Sequence, residues 1–500
     1  MKRILSIIII GIFICSGLGV TASPFNKFNE EIYIDTENAV ALTEDFDPLV
    51  DITVTVEILT IRALDEIDLL SDPDFFVKVF IDETEFVSPT WNNEQFLYDL
   101  NWSATLNVPD NIENVEIVIQ LWDQNPLKNK PCDISGDINQ GSLGYDVYLT
   151  YNIKTGHWTG DDTYIDDPSG YGRLNGCDDG SFYKNERDCE VWFTIYQNDY
   201  DGDNIPYWAE VNAYGTDPKI DNTGEDEDSD DIPIEWEHKW RYNPNMWDDH
   251  KNLDTEKDGL NNWEEYLTSQ WGSDPFRKDL FLELDYMEEG PRGENSTVPE
   301  KSKELLRTAY DCRNIVFHLD DGCMGGGGEV IPFDKKTYRQ ELFPIYQKYF
   351  LHNDSNNWRR SVFRYVMSIY NHYSASGIAF VGEYPILYWH ARGTNTFQIS
   401  SKAIGKIAKR PRANKEFVYA CIIMHETGHA LGIDKFFPLG CDSRRTMRPW
   451  QLGFWLFRNY KSCMNYRYTF YLLDYSDGSH GRRDYNDWEN LDFTFFECRN

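Results

Sequence analysis

Between residues 199 and 276 the chain repeats an acidic pattern too poor in apolar residues to fold by hydrophobic burial alone. The segments DYDGDNIPYWAE, DEDSDDIPIEWE and DTEKDGLNNWEE begin at Asp199, Asp226 and Asp254, a period of 27 to 28 residues. Each carries an acidic residue at its first, third and fifth positions and a glutamate at its twelfth. The carboxylates are Asp199, Asp201, Asp203 and Glu210, then Asp226, Asp228, Asp230 and Glu237, then Asp254, Glu256, Asp258 and Glu265. This spacing gathers oxygens around one point, which suits a hard cation that takes six to eight of them. The expectation is three calcium loops, each followed by a short helical stretch and closed by Asp217-Pro218, Asn243-Pro244 or Asp274-Pro275.

The ligand spacing is that of an EF-hand loop, and the stretch resembles thrombospondin type-three and related extracellular calcium repeats. It departs from the strict EF pattern at the sixth position, which is glycine only in the third loop, at Gly259. The implied role is structural, with calcium stiffening a spacer.

Elsewhere the chain has ample material for cores, with 41% hydrophobic and 15% aromatic residues over 500 positions. That length suggests two to four domains. The 84 acidic and 47 basic residues leave a formal charge of −37, which disfavours nucleic acid as a partner. The opening MKRILSIIIIGIFICSGLGVTASPF has two cations, an apolar run and then small residues. It reads as a signal peptide over residues 1–22, with an uncleaved anchor as the alternative, and implies a secreted or cell-surface protein. Nine cysteines follow it. In an exported chain most should pair, and the local candidates are Cys177 with Cys189, Cys312 with Cys323, and Cys441 with Cys463. Cys421 is expected to stay a buried thiol.

Residues 50–197 read as β-structure. DITVTVEILTI alternates, and FFVKVFID and NVEIVIQLWD have strand composition. Asp68 and Asp74 precede the second of these, while Asp123, Asn125 and Asp133 follow the third. SDPDFFVKVFID and LWDQNPLKNKPCD resemble the first and third calcium loops of a C-two-type calcium-binding sandwich. The resemblance implies calcium at Asp68, Asp74 and Asp123, with Asp133 the weaker carry-over, and binding to a membrane surface or another surface ligand.

Residues 278–500 have an α/β character. KDLFLELDYM and NIVFHLDDG read as strands around the helical VPEKSKELLRTAYD. SVFRYVMSIYNHY is compatible with a helix, and SGIAFVGEYPILYW with a strand or sheet edge. Within CIIMHETGHALGIDKFF, His425 and His429 lie four apart, so one helix face presents both. Two imidazoles on one face suit zinc, and Glu426 beside them can take the proton of a water. Gly432 follows three residues after His429, and SCMNYRY at 462–468 places Met464 before Tyr466. HETGHALG and SCMNYRY together resemble the metzincin zinc-peptidase helix and Met-turn. The resemblance implies a methionine beneath the zinc and an oxyanion-stabilising role for Tyr466.

The position where a metzincin places its third ligand is Lys435, a cation. Three candidates remain: Asp442, reached through a longer turn, Asp434 and His480. The sequence thus predicts a multidomain protein: a β-sandwich at 50–197, calcium-loop repeats at 198–276 and an α/β metzincin-like domain at 278–500. Its expected activity is zinc-dependent peptide hydrolysis with Glu426 as general base, with Zn2+ and Ca2+ as cofactors and a protein or peptide substrate. The alternative is a calcium-binding surface adhesion protein whose peptidase-like domain is inactive.

Overall fold

The computed structural model describes residues 46–496 except 69, 137–144, 163–171, 183, 185, 373–375, 381–394, 411–412 and 434–437. The first region is an antiparallel sandwich. One sheet orders Arg173–Asn175, Cys189–Gln197, Thr53–Ala63 and Phe96–Leu97, with Trp102–Asn107 also on Thr53–Ala63. The other orders Thr84–Val87, Phe75–Ile81, Asn114–Asp123, Val147–Asn152 and His157–Gly160, with Lys130–Cys132 on Asn114–Asp123. The alternation of Asn114–Asp123 sends Val115, Ile117, Ile119 and Leu121 inward against Val54, Val56 and Ile58 of the facing sheet.

The repeat forms three loop–helix units. Tyr207–Ala209 runs on into Glu210–Tyr214 after the first loop, Ile234–Lys239 follows the second, and Asn262–Thr268 follows the third. Their apolar content is small: Ile205, Ala209 and Ile234 form one cluster, and Ile232, Trp236 and Trp240 another.

The third region is a twisted sheet in the order Ile315–Asp320, Lys278–Met287, Phe363–Ile369, Thr396–Ser400, Gly377–Phe380, with Val330–Ile331 also on Lys278–Met287. All pairs are parallel except the last, so Gly377–Phe380 is an antiparallel edge strand. The helices Glu300–Asp311 and Lys415–Ala430 pack on one face, sharing a core with Leu282, Leu284, Val366, Phe397 and Ile399. The segment compatible with a helix, SVFRYVMSIYNHY, is instead mostly the strand Phe363–Ile369, buried at every position. A central parallel strand is covered on both faces, so its apolar run carries no alternation to set it apart from a helix.

The sandwich docks directly on the α/β region, so the repeat is not a free spacer. Arg62 reaches Glu304 Oε2 at 2.7 Å and Asp311 Oδ2 at 3.1 Å on the helix Glu300–Asp311. Arg173 pairs with Glu190 and donates to Asn314 Oδ1, and the Asn175 amide donates to the carbonyl of Asp311. Buried charges of this kind persist only where each is paired and hydrogen-bonded.

The cysteines differ from the local pairing expected. Cys177 faces Cys312 across this interface, and Cys189 faces Cys132 within the sandwich. The cause is topological. Cys189 opens a strand whose neighbouring bridge joins Asp133 to Asp188, while Cys177 lies on the turn packed against the end of Glu300–Asp311. Cys323 is exposed and hydrogen-bonds the carbonyl of Leu319 rather than Cys312. Cys421 is a buried thiol whose Sγ faces the carbonyl of Leu472.

Candidate metal centre and acidic loops

The helix Lys415–Ala430 starts at Asn414, whose side chain accepts from the Glu416 amide, and ends before Gly432, which adopts φ 91°. A left-handed glycine there lets the chain leave the helix at once. His425 Nδ1 donates to the carbonyl of Cys463 at 2.9 Å, and His429 Nδ1 to that of Ile433 at 2.7 Å. These bonds fix both rings with their Nε2 atoms aimed at one point.

Asp442 closes that point. Its Oδ1 lies 3.0 Å from His425 Nε2 and its Oδ2 3.4 Å from His429 Nε2. Ligands about 2 Å from a tetrahedral zinc stand about 3.3 Å apart, so the donor set fits that ion. Asp442 adopts φ 50°, and its amide donates to the carbonyl of Met464 at 3.1 Å. The strand Leu439–Asp442 is thereby tied to the turn that carries Met464. Met464 lies under the helix: a Cβ on Gly428 would come within 2.7 Å of its sulfur. The Tyr466 ring stacks on His425 with centroids 5.9 Å apart, and its hydroxyl hydrogen-bonds Asp442.

The charges of the group are coupled. Burial favours neutral imidazoles, but the Asp442 carboxylate outweighs it, raising His425 and pushing His429 up to about 9. Burial alone would raise Asp442, yet the two imidazoles hold it well below the usual carboxylate range. Burial raises Glu426, partly offset by both histidines. Glu426 faces the edge strand so closely that a Cβ on Gly377 would lie 2.2 Å from its Oε1.

Of the other candidate ligands, His480 belongs to a separate group. Its Nδ1 lies 3.0 Å from Asp484 and 3.6 Å from Asp477, because those side chains share its own loop. Asp434 lies outside the described residues. SGIAFVGEYPILYW read as a strand or sheet edge, and Gly377–Phe380 within it is such a strand, but its proximity to Glu426 emerges only from the fold.

The three acidic loops share one internal scheme. The first-position carboxylates accept loop amides: Asp199 from Gly202 and Asn204, Asp226 from Ser229 and Asp231, Asp254 from Asp258 and Gly259. Each fifth-position carboxylate accepts an amide far downstream: Asp203 from Asn222, Asp230 from Asp248, Asp258 from Asp279. The third-position groups Asp201, Asp228 and Glu256 leave both oxygens buried and unpaired. So do the twelfth-position Glu237 and Glu265, while Glu210 leaves one such oxygen. Orphaned buried carboxylate oxygens repeated at fixed positions are what a coordinated cation would satisfy. The sixth position has positive φ in all three loops, at Asn204, Asp231 and Gly259. Asn and Asp tolerate that conformation, so glycine is dispensable in the first two loops.

Burial, then mutual repulsion, pushes these acids up. Asp199 rises to about 7, Asp228 to about 6, Glu210 to about 8 and Glu256 to about 12, while Asp258 and Glu265 go well above their ordinary range.

Asp74 and Asp123 do meet, through the Asp74 amide on Asp123 Oδ1. Lys130 Nζ also lies among these acids, 2.6 Å from Asp68 and 3.8 Å from Asp123. Asp74 spends an oxygen on the Asn93 amide. Asp133 lies instead with Asp179 and Glu186. The lysine sits inside the quoted LWDQNPLKNKPCD segment, and its position was the available signal.

No protein-family model matches the chain, and no curated protein sequence does. Among solved structures, it is similar to one described as the structure of a C2 domain, at 12% identity over 29% of this chain and 97% of that one, with a TM-score of 0.17. A C2 domain of plant extended synaptotagmin 1 matches at 13% identity over 29% of this chain and 92% of that one, TM-score 0.17. A human GIVD cytosolic phospholipase A2 structure matches at 15% identity over 29% of this chain, TM-score 0.17, and the match spans only 17% of the phospholipase. These likenesses concern a C2-like β-sandwich and carry no argument about activity.

Proposed function

We propose that this chain is a calcium-stabilised zinc metallopeptidase whose centre is His425, His429 and Asp442, with Glu426 as general base. The observation that carries the reading is the convergence of both Nε2 atoms and the Asp442 carboxylate, with Glu426 beside them and Met464 beneath. Zinc held there would polarise a peptide carbonyl and acidify a water. Glu426 is placed to take that water's proton and pass it to the departing amine. Its raised pKa favours that return. The Tyr466 hydroxyl, next to Asp442, is placed to donate to the developing oxyanion. Gly377–Phe380, which pairs on one side only among the described residues, offers backbone groups to an extended peptide, which would bring its scissile bond to Glu426.

The acidic loops are assigned to divalent cations, the all-oxygen first and third loops to calcium, on their buried unpaired oxygens. The sandwich is assigned to docking and surface recognition without calcium at Asp68, Asp74 and Asp123, on the ground of Lys130. Hydrolysis of casein or gelatin tests the activity: strong chelation should abolish it and zinc restore it. Unchanged turnover after complete zinc removal would sink the proposal.

A further inference from the structure

The second acidic loop differs from its neighbours in one respect: a histidine is sealed inside it. His250 is fully enclosed, with Nε2 3.2 Å from Asp230 Oδ2 and 3.9 Å from Glu237 Oε1. Neither approach has hydrogen-bond geometry, and Nε2 is left without a partner, as are both oxygens of Glu237 and of Asp228. The imidazole is held edge-on to Trp236 and Tyr242, at ring centroid separations of 5.8 and 4.9 Å.

Its other nitrogen faces the Asn262 side-chain amide, which can support either tautomer. Nδ1 lies 2.9 Å from the Asn262 side-chain nitrogen, while Asn262 Oδ1 is buried without a partner. Turning that amide by half a rotation would place Oδ1 on an Nδ1–H, the tautomer in which Nε2 carries no proton. The two amide orientations have the same shape, so hydrogen bonding decides between them. Nε2 then carries a lone pair directed among Asp228, Asp230 and Glu237. An imidazole oriented through its far N–H by a carbonyl oxygen is the arrangement of a metal ligand.

The other loops lack this group. His250 lies two residues beyond Asp248, whose amide binds the fifth-position Asp230, and the equivalent residues are Gly224 and Phe281. His318, near the third loop, bonds Asp279 rather than the loop carboxylates. Loops one and three therefore present oxygen alone, which suits calcium. Loop two adds nitrogen, which calcium seldom takes and zinc-class cations prefer.

We infer that the second loop is a mixed nitrogen–oxygen site for a borderline divalent cation of the zinc class, with His250 Nε2 as ligand beside Asp228, Asp230 and Glu237. The inference goes beyond the peptidase reading, and the experiment separates the two. Full-length protein is loaded with zinc in millimolar calcium, dialysed, and its metal measured. The wild type should hold two zinc ions. H425A/H429A, which removes the peptidase centre, should keep one, and adding H250Q should leave none, weakening loop affinity by at least ~100-fold, beyond what a supporting group costs. Zinc retained by H425A/H429A and lost with H250Q supports the loop site, whatever the peptidase centre does. No zinc on H425A/H429A, or zinc indifferent to H250Q, overturns it. Should H250Q fail to fold, X-ray absorption of zinc-loaded H425A/H429A decides: imidazole scattering supports the site, and an all-oxygen shell refutes it.

Discussion

Zinc binding at His425, His429 and Asp442 should be steeply pH-dependent above neutrality, where ordinary histidines have stopped titrating. Burial opposes charge on His429, but Asp442 overcomes it and takes the metal-free imidazole to about 9. A metal needs the neutral ring. At pH 7 only about 1% of His429 would be neutral, a penalty of about 100-fold or ~2.7 kcal/mol. Raising the pH to 8.5 should tighten the apparent Kd about 25-fold through His429 alone, and further through His425, which is also raised. Histidines at their ordinary 6.5 would give only about 1.3-fold each. The assay is competition with a chromophoric chelator of known pH dependence, together with proton release into weak buffer. The same shift has a stability signature. The charged ring favours the metal-free fold, so that contribution is complete below pH 6.5 and disappears as pH rises through about 9. Asp442→Asn should weaken zinc binding and flatten its pH dependence. A wild-type Kd constant within about threefold between pH 7 and 8.5 would refute the coupling drawn here.

Four further outcomes are expected. Glu426→Gln should retain zinc while losing roughly 10²- to 10⁴-fold in turnover, read by metal content beside peptide hydrolysis; a variant near wild-type rate would remove Glu426 from the chemistry. Calcium removal with EGTA should open residues 199–276 to proteases, and identical digestion patterns would count against cations in the loops. Gly428→Val should cost about 1–3 kcal/mol in denaturant unfolding, since its side chain would strike the Met464 sulfur; an unchanged midpoint would mean that the helix and the turn are not in contact. Lys130→Ala should raise terbium binding by the sandwich, because Asp68 and Asp123 lose their ammonium, whereas equal binding would show that the lysine does not block the site.

The juxtaposition of His425 and His429 was legible because helical spacing is local: two histidines four apart share a face in any helix. The carboxylate that joins them was less so. Asp442 reaches the histidines only because its amide bonds Met464 and its backbone takes a positive φ, and neither has a short-range signature. The acidic loops were readable for the reason the helix was, since four positions within twelve residues define each. The imidazole inside the second loop was not, because His250 comes 13 residues after Glu237 and returns through the fold. Phe363–Ile369 resembled a helix because burial on both faces erases the two-residue period. Lys130 illustrates what spacing alone does not carry: acidic residues at loop positions gave no hint that it would pair with Asp68.

Because the sandwich rests on the helix Glu300–Asp311 through Arg62, Arg173 and Asn175, the segment between the two bodies works as a strap closing a ring. A strap sets the concentration at which its two ends meet. With the loops ordered, Asp279 at the start of the α/β sheet is bonded to Asp258 of the last loop, and Arg277 to the carbonyl of Asp162 in the sandwich, so the docked faces are held in register. With the loops slack, residues 199–276 would become a flexible tether with an average span of roughly 50 Å, presenting one face to the other at millimolar effective concentration. Cation loss would then leave the two bodies joined but visiting an undocked state, in which the Arg62 and Arg173 guanidiniums and the acids opposite them are exposed to water.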